Sequence, residues 1–287
     1  MQNSTKFAFS AVAAAAVLAL AACGGGGGDA PAASAPATTT PPPAPAITVQ
    51  GTAPAVTADP LAVVFVPQNE TSTRTTQQSI AWSSFPANLQ KASAEGAYTT
   101  LGIDTNSLIT LSSGKIVDVA GNGEFAIGRW TDGSSNLLGS ISSNQGAHYA
   151  VGKPLTLIAD RTLQPDLSIG PKLTCSNIAA TSPTAVSGNF APGKLNSATA
   201  TISLSGPTLD SFSLDVGIGS DAHATAAVPF TILSGVTISN GVAQHIQVLG
   251  SSQNSPYLAI GYAFTTPSSG DVSGVVVLKC TNPTGPV

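Results

Sequence analysis

From Tyr98 onward the chain alternates short runs of strand-forming residues with clusters of Gly, Asn, Asp and Pro. Between positions 199 and 204 the apolar residues are Ala200, Ile202 and Leu204; between 211 and 216 they are Phe212, Leu214 and Val216. A period of two sends one set of side chains into a core and the other into water. Further runs stand at 107–111, 115–120, 124–130, 147–151, 171–178, 224–233, 242–249, 257–264 and 272–280. Many short strands at this spacing predict an all-β fold, an antiparallel barrel or sandwich. An earlier apolar run, 61–66, reads as a first buried strand stopped by Pro67.

Composition narrows the class. Only 8% of the 287 residues are charged, against about a quarter in an ordinary soluble domain. Ser, Thr, Asn and Gln take the place of the missing charge, a mix that suits strands better than helices. The one helix expected lies over 84–95, with Ser84 as cap, Pro86 in the first turn and Gly96 at the end. The net charge is -4, and loss of a leader containing Lys6 makes it -4 - 1 = -5. A charge so small and dispersed gives no footing for nucleic acid or for an anionic membrane surface.

Residues 1–22 carry Lys6 and then an apolar run from Phe7 to Leu20. That run is the length of a signal-peptide core and short for a membrane span. It closes on Leu20-Ala21-Ala22-Cys23, which resembles the lipobox of bacterial lipoproteins. The resemblance implies cleavage before Cys23, lipidation of Cys23, and anchoring in the outer membrane, because Gly24 is not the aspartate associated with inner-membrane retention. Residues 23–60 begin with five glycines and continue in Ala, Pro and Thr. Glycine makes the first part flexible and proline extends the second, so a disordered tether is expected.

With Cys23 lipidated, Cys175 and Cys280 remain as an even pair in an oxidising compartment. They are expected to form a disulfide, the alternative being two buried free thiols. Neither has the spacing of a zinc or thioredoxin-like site.

Gly128-Arg129-Trp130, His148-Tyr149-Ala150-Val151-Gly152, Gly188-Asn189-Phe190, Gly261-Tyr262-Ala263-Phe264 and Gly274-Val275-Val276-Val277 together resemble the C-terminal β-barrel of transferrin-binding-protein-like surface lipoproteins. The resemblance implies an antiparallel barrel of about eight strands within 97–287, carried on the tether; 61–96, read from its own residues, is a connector strand and short helix. It carries over no transferrin binding and no iron ligand, because the chain has one barrel-sized region and lacks long receptor-binding loops. Arg129, Trp130, His148 and Tyr149 are the candidate ligand-facing residues. Their alternative is packing: Trp and Tyr fill barrels and hydrogen-bond at one end, and neighbours on a strand face opposite ways.

Residues for catalysis are hard to assemble. There is no Gly-x-Ser-x-Gly elbow and no phosphate cradle, and glutamate occurs only at Glu70, Glu95 and Glu124. Glu124 and Asp132 are the best acidic candidates, and Asp221-Ala222-His223 could at most offer two metal ligands. The expectation is a non-enzymatic envelope lipoprotein without metal or cofactor. Its barrel would bind an envelope protein, a host protein or a small ligand, or serve structurally. The alternatives are an exported hydrolase and a surface adhesin.

Overall fold

The computed structural model describes residues 46–159 and 172–282. Cys23, the signal peptide and most of the tether lie outside the described residues. Within them the chain forms two sheets of nine strands.

The first sheet holds β1 (Ile47–Gly51), β2 (Leu61–Val66), β3 (Ile80–Phe85), β4 (Lys91–Ala92), β5 (Tyr98–Leu101), β6 (Ile109–Gly121), β7 (Phe125–Ser135), β8 (Gly139–Ile141) and β9 (Ala147–Gly152). Its order is β3-β2-β9-β7-β6-β5-β4, with β8 beside β7 and β1 parallel to β6. The second holds β10 (Lys172–Ala180), β11 (Thr184–Ala185), β12 (Lys194–Ser203), β13 (Thr208–Ile218), β14 (Asp221–Val228), β15 (Gly235–Ser239), β16 (Val242–Leu249), β17 (Tyr257–Thr266) and β18 (Gly270–Thr281). Its order is β14-β13-β12-β10-β18-β17-β16-β15, with β11 on β18.

Three cores explain why some strands alternate and others do not. Leu61, Val63 and Phe65 of β2 point into a core enclosed by the first sheet, with Trp130, Tyr149 and Ile116. Ala62, Val64 and Val66 point the other way, onto Ala259, Val275 and Val277 of the second sheet. The second sheet encloses its own core of Phe212, Leu214, Ile246, Ile260, Tyr262 and Val276. A strand buried on both faces reads as a continuous apolar run, which is why 61–66 shows no alternation. Strands β12 and β13 face water on one side and alternate.

The sheets approach closely where Gly261 of β17 meets β2. A methyl group on Gly261 would overlap Val66 Cγ2 and lie 3.0 Å from Val64 Cγ1. At the far end of the second sheet, Asn240 and Gly241 both take positive φ, at 51° and 70°. They join Ser239 to Val242 as a two-residue hairpin of the primed type that Asn-Gly favours. Cys175 and Cys280, opposite one another on β10 and β18, are bridged.

The all-β, antiparallel expectation holds, with three differences. The two sheets curl as half-barrels, so the barrel-like expectation holds while the count of about eight strands is only roughly right, and the strands of 61–96 pair into the same sheet as those of 98–152. No helix covers 84–95: only Ala87–Leu89 makes a 3-10 turn. There the Gln90 amide captures Gly102, donating to its carbonyl at 2.7 Å and accepting from its N–H at 3.0 Å, and draws the chain into the β4–β5 pair. The last part of the expected tether is also ordered, since Ile47 and Val49 pack on the first core.

Candidate functional site

The four residues expected to face a ligand are buried. Trp130 and Tyr149 belong to the first core, and both are tied to Tyr98: the Trp130 indole donates to the Tyr98 carbonyl at 2.8 Å, and the Tyr149 hydroxyl accepts from the Tyr98 N–H at 3.0 Å. Burial pushes the Tyr98 phenol up to about 12 and raises that of Tyr149 further. Arg129 and His148 sit opposite each other on β7 and β9, on the face turned toward the second sheet.

Those two residues bolt the sheets together. Asp118, at φ 59° in a bulge of β6, takes Arg129 Nε at 2.8 Å and the Ser182 N–H at 2.9 Å on the same carboxylate oxygen. The His148 ring lies between two hydroxyls, Thr181 Oγ1 at 2.8 Å and Thr184 Oγ1 at 2.9 Å. A neutral ring donates through one nitrogen and accepts at the other, satisfying both. Burial, assisted by the Arg129 charge, holds its pKa well below the ordinary 6.5.

The other histidines are also engaged. His245 Nε2 lies 3.0 Å from Glu70 Oε1, with both side chains fully buried. His223 is exposed and paired at 2.8 Å with Asp215, whose carboxyl its hydrogen bond lowers. Asp221 turns away from His223 to accept the Ser268 and Ser269 N–H groups. Asp132 pairs with Lys115 at the surface. Glu124, just before β7, contacts Ser251. Among the described residues no group of three His, Cys, Asp or Glu side chains is placed to hold a metal.

A groove of about 490 Å³ runs along β3; a second of similar volume, on the outer face of β12–β14, is lined by Thr199, Ser213, Asp215 and Thr225 and has no aromatic side chain. One part of the first groove's lining comes from β3 and the residues before it: Gln77, Gln78, Ser79, Ile80, Ala81, Trp82 and Phe85. The rest comes from Gly102, Ile103, Ser107 and Ile109, from Leu137, and from Val236 on the second sheet. Trp82 is 52% exposed and stands edge-on to Phe85, with ring centroids 6.2 Å apart. None of the lining residues is ionisable.

Amide side chains and one buried carboxylate build this groove. Glu70, anchored on His245, accepts the Thr76 N–H at 3.0 Å and the Ser79 hydroxyl at 2.6 Å, fixing the turn that presents Gln77 and Gln78. Gln90 holds the loop after β5 through Gly102. Asn136 accepts the Thr110 N–H and donates to the Leu108 carbonyl, both at 2.8 Å, so the turn carrying Leu137 is pinned to the start of β6. Gln68 reaches the Leu138 carbonyl at 2.9 Å.

No protein-family model, curated protein or solved structure matches the chain. The groove therefore rests on its own chemistry. Exposed tryptophan beside aliphatic side chains, with a few amides and hydroxyls, is the make-up of a site for an uncharged, largely apolar ligand. Trp82 and Gln77-Gln78 were not singled out from the sequence. The signal available was the short alternation of Ile80 and Trp82 with Ala81 and Ser83, overshadowed by the helix-like residues that follow it.

Proposed function

We propose that this chain is a lipoprotein anchored in the outer membrane through Cys23, and that its strand-built domain binds an uncharged ligand or partner without transforming it. The observation that carries the reading is the groove along β3, where half-exposed Trp82 is surrounded by apolar and amide side chains. The histidines fit the same reading: His148 and His245 serve as buried fasteners between the sheets. The Leu-Ala-Ala-Cys motif and the glycine- and proline-rich stretch after it support the anchor and the tether. The resemblance to transferrin-binding-protein-like lipoproteins adds a surface or periplasmic setting and no ligand.

Two experiments test it. Alkyne-palmitate labelling in cells should mark the chain and be lost with Cys23→Ala; equal labelling of the variant removes the anchor. Benzoylphenylalanine placed at Leu137, inside the groove, should give a photo-adduct in intact cells, while the same probe at Thr174, on the exposed face of β10, should not. No adduct from Leu137 would remove the groove as the binding site.

A further inference from the structure

We infer that the free edge of β3 accepts an extended, uncharged strand from a partner protein, which continues the first sheet over β15. The inference rests on the binding role of the Trp82 groove and names the class of molecule that fills it.

The two sheets pack strand over strand. β9 lies against β17 and β18, β2 against β16 and β17, and β3 against β15 and β16. There the first sheet ends among the described residues, where β3 pairs with β2 alone. The second sheet's outward face continues past that point. Across the ladders Val275 pairs with Gly261, Gly261 with His245, and His245 with Val236. Opposite residues in a ladder share a face, so Val236 lies in the row that begins at Val275 in the inter-sheet core. The next such row ends at Ile238. Val275 is fully covered, whereas Val236 and Ile238 are 38% and 43% exposed. The place above them is where the strand after β3 would lie.

That place has the features of a strand site. Among the described residues the outer edge of β3 has no strand beside it, and an edge of this kind offers alternate N–H and C=O groups that a polypeptide satisfies at the spacing of its own backbone and an acyl chain cannot. An incoming strand would lie beside Ile80 and Trp82, which share the inward face of Phe65 and Val63 of β2, with Ile103 and Leu137 of the groove on that side and Val236 and Ile238 on the other. Its environment matches that of β2, so its best sequence is a continuous apolar run with no charge. Two of the other edges are less suited. The Asn240 side chain bonds the Ala227 carbonyl at 2.7 Å on β14, and β4 is two residues long.

The test is fluorescence anisotropy of a labelled peptide, Lys-Lys-Leu-Ala-Val-Val-Phe-Val-Lys-Lys, which repeats β2 between soluble ends. It is titrated with the full chain held in phosphatidylcholine nanodiscs, empty nanodiscs giving the baseline. The expected result is saturable binding, weakened at least tenfold by Trp82→Ala and abolished when the peptide is N-methylated at two amides on each edge. The N-methylated control needs no protein variant. If it binds as well as the parent, the groove takes ligands by another mode: the inference falls and the binding reading stands. If neither peptide binds, the inference falls, and the Leu137 photo-adduct decides the binding reading separately. An adduct that proves to be a homodimer overturns the inference in favour of a second copy.

Discussion

The two sheets are alike in size and unlike in finish. The second is antiparallel throughout, long in its ladders, and closed across β10 and β18 by the Cys175–Cys280 bridge. The first contains a parallel strand, several register breaks in the β6–β7 pair, and an edge at β3 that stops short of the surface beneath it. The difference separates two tasks. Register breaks occur in the second sheet too, in the β10–β18, β12–β13 and β13–β14 pairs, so its long ladders and covalent tie set it apart, while the unfinished edge of the first leaves backbone and apolar surface available for recognition.

If stability resides in the second sheet, its covalent tie gives the largest effect. Replacing Cys175 and Cys280 together with serine should lower the unfolding free energy by about 4–5 kcal/mol, since the bridge spans 105 residues. Denaturant unfolding measures this, and a loss under about 1 kcal/mol would remove the bridge from the account. Next comes the joint between the sheets. Gly261→Val should cost about 3 kcal/mol, because the added carbons overlap Val66 and press on Val64 in a packed interface; a variant as stable as the parent would mean that the sheets can separate freely.

The polar fastener makes the joint sensitive to pH. Because the folded His148 ring is held neutral, the unfolded chain takes up a proton near pH 6.5 that the folded chain does not. Its contribution is complete above about pH 6.5 and falls as the pH drops below that value, by up to about 1.4 kcal/mol per pH unit. His148→Gln should flatten this part of the stability profile between pH 6.5 and 5; an unchanged slope would place the acid sensitivity elsewhere. The smallest stability effect is expected at the recognition edge. Trp82→Ser should change stability by less than about 0.5 kcal/mol, measured by thermal unfolding, while weakening peptide binding at least tenfold. A large loss of stability would make Trp82 a structural residue and weaken the contrast between the sheets.

Much of the fold was legible because its physics is local. The alternation at 199–204 and 211–216 locates β12 and β13, and the apolar runs at 61–66 and 242–249 coincide with β2 and β16. The division into two sheets was not legible, because a doubly buried strand reads the same whichever sheet covers its second face. β3 was obscured for another reason: Ser84, Pro86 and the residues to Glu95 satisfy local helix rules, and the bond that overrides them joins Gln90 to Gly102. Partners more distant still decide the histidines. Glu70 and His245 are 175 positions apart, and His148 meets hydroxyls 33 and 36 residues away. The groove combines residues from β3, from the loop after β5 and from β15, so no single window of sequence contains it.

The most direct measurement is residue-resolved amide hydrogen exchange across Ile80–Phe85, with and without the β2-sequence peptide. The outward-facing amides of β3 should exchange quickly in the free protein and become protected when the peptide binds, while the edge amides of β14 stay unchanged. Protection of all β3 amides before any peptide is added, or equal protection by the N-methylated peptide, would contradict the claim that β3 is an open edge awaiting a strand.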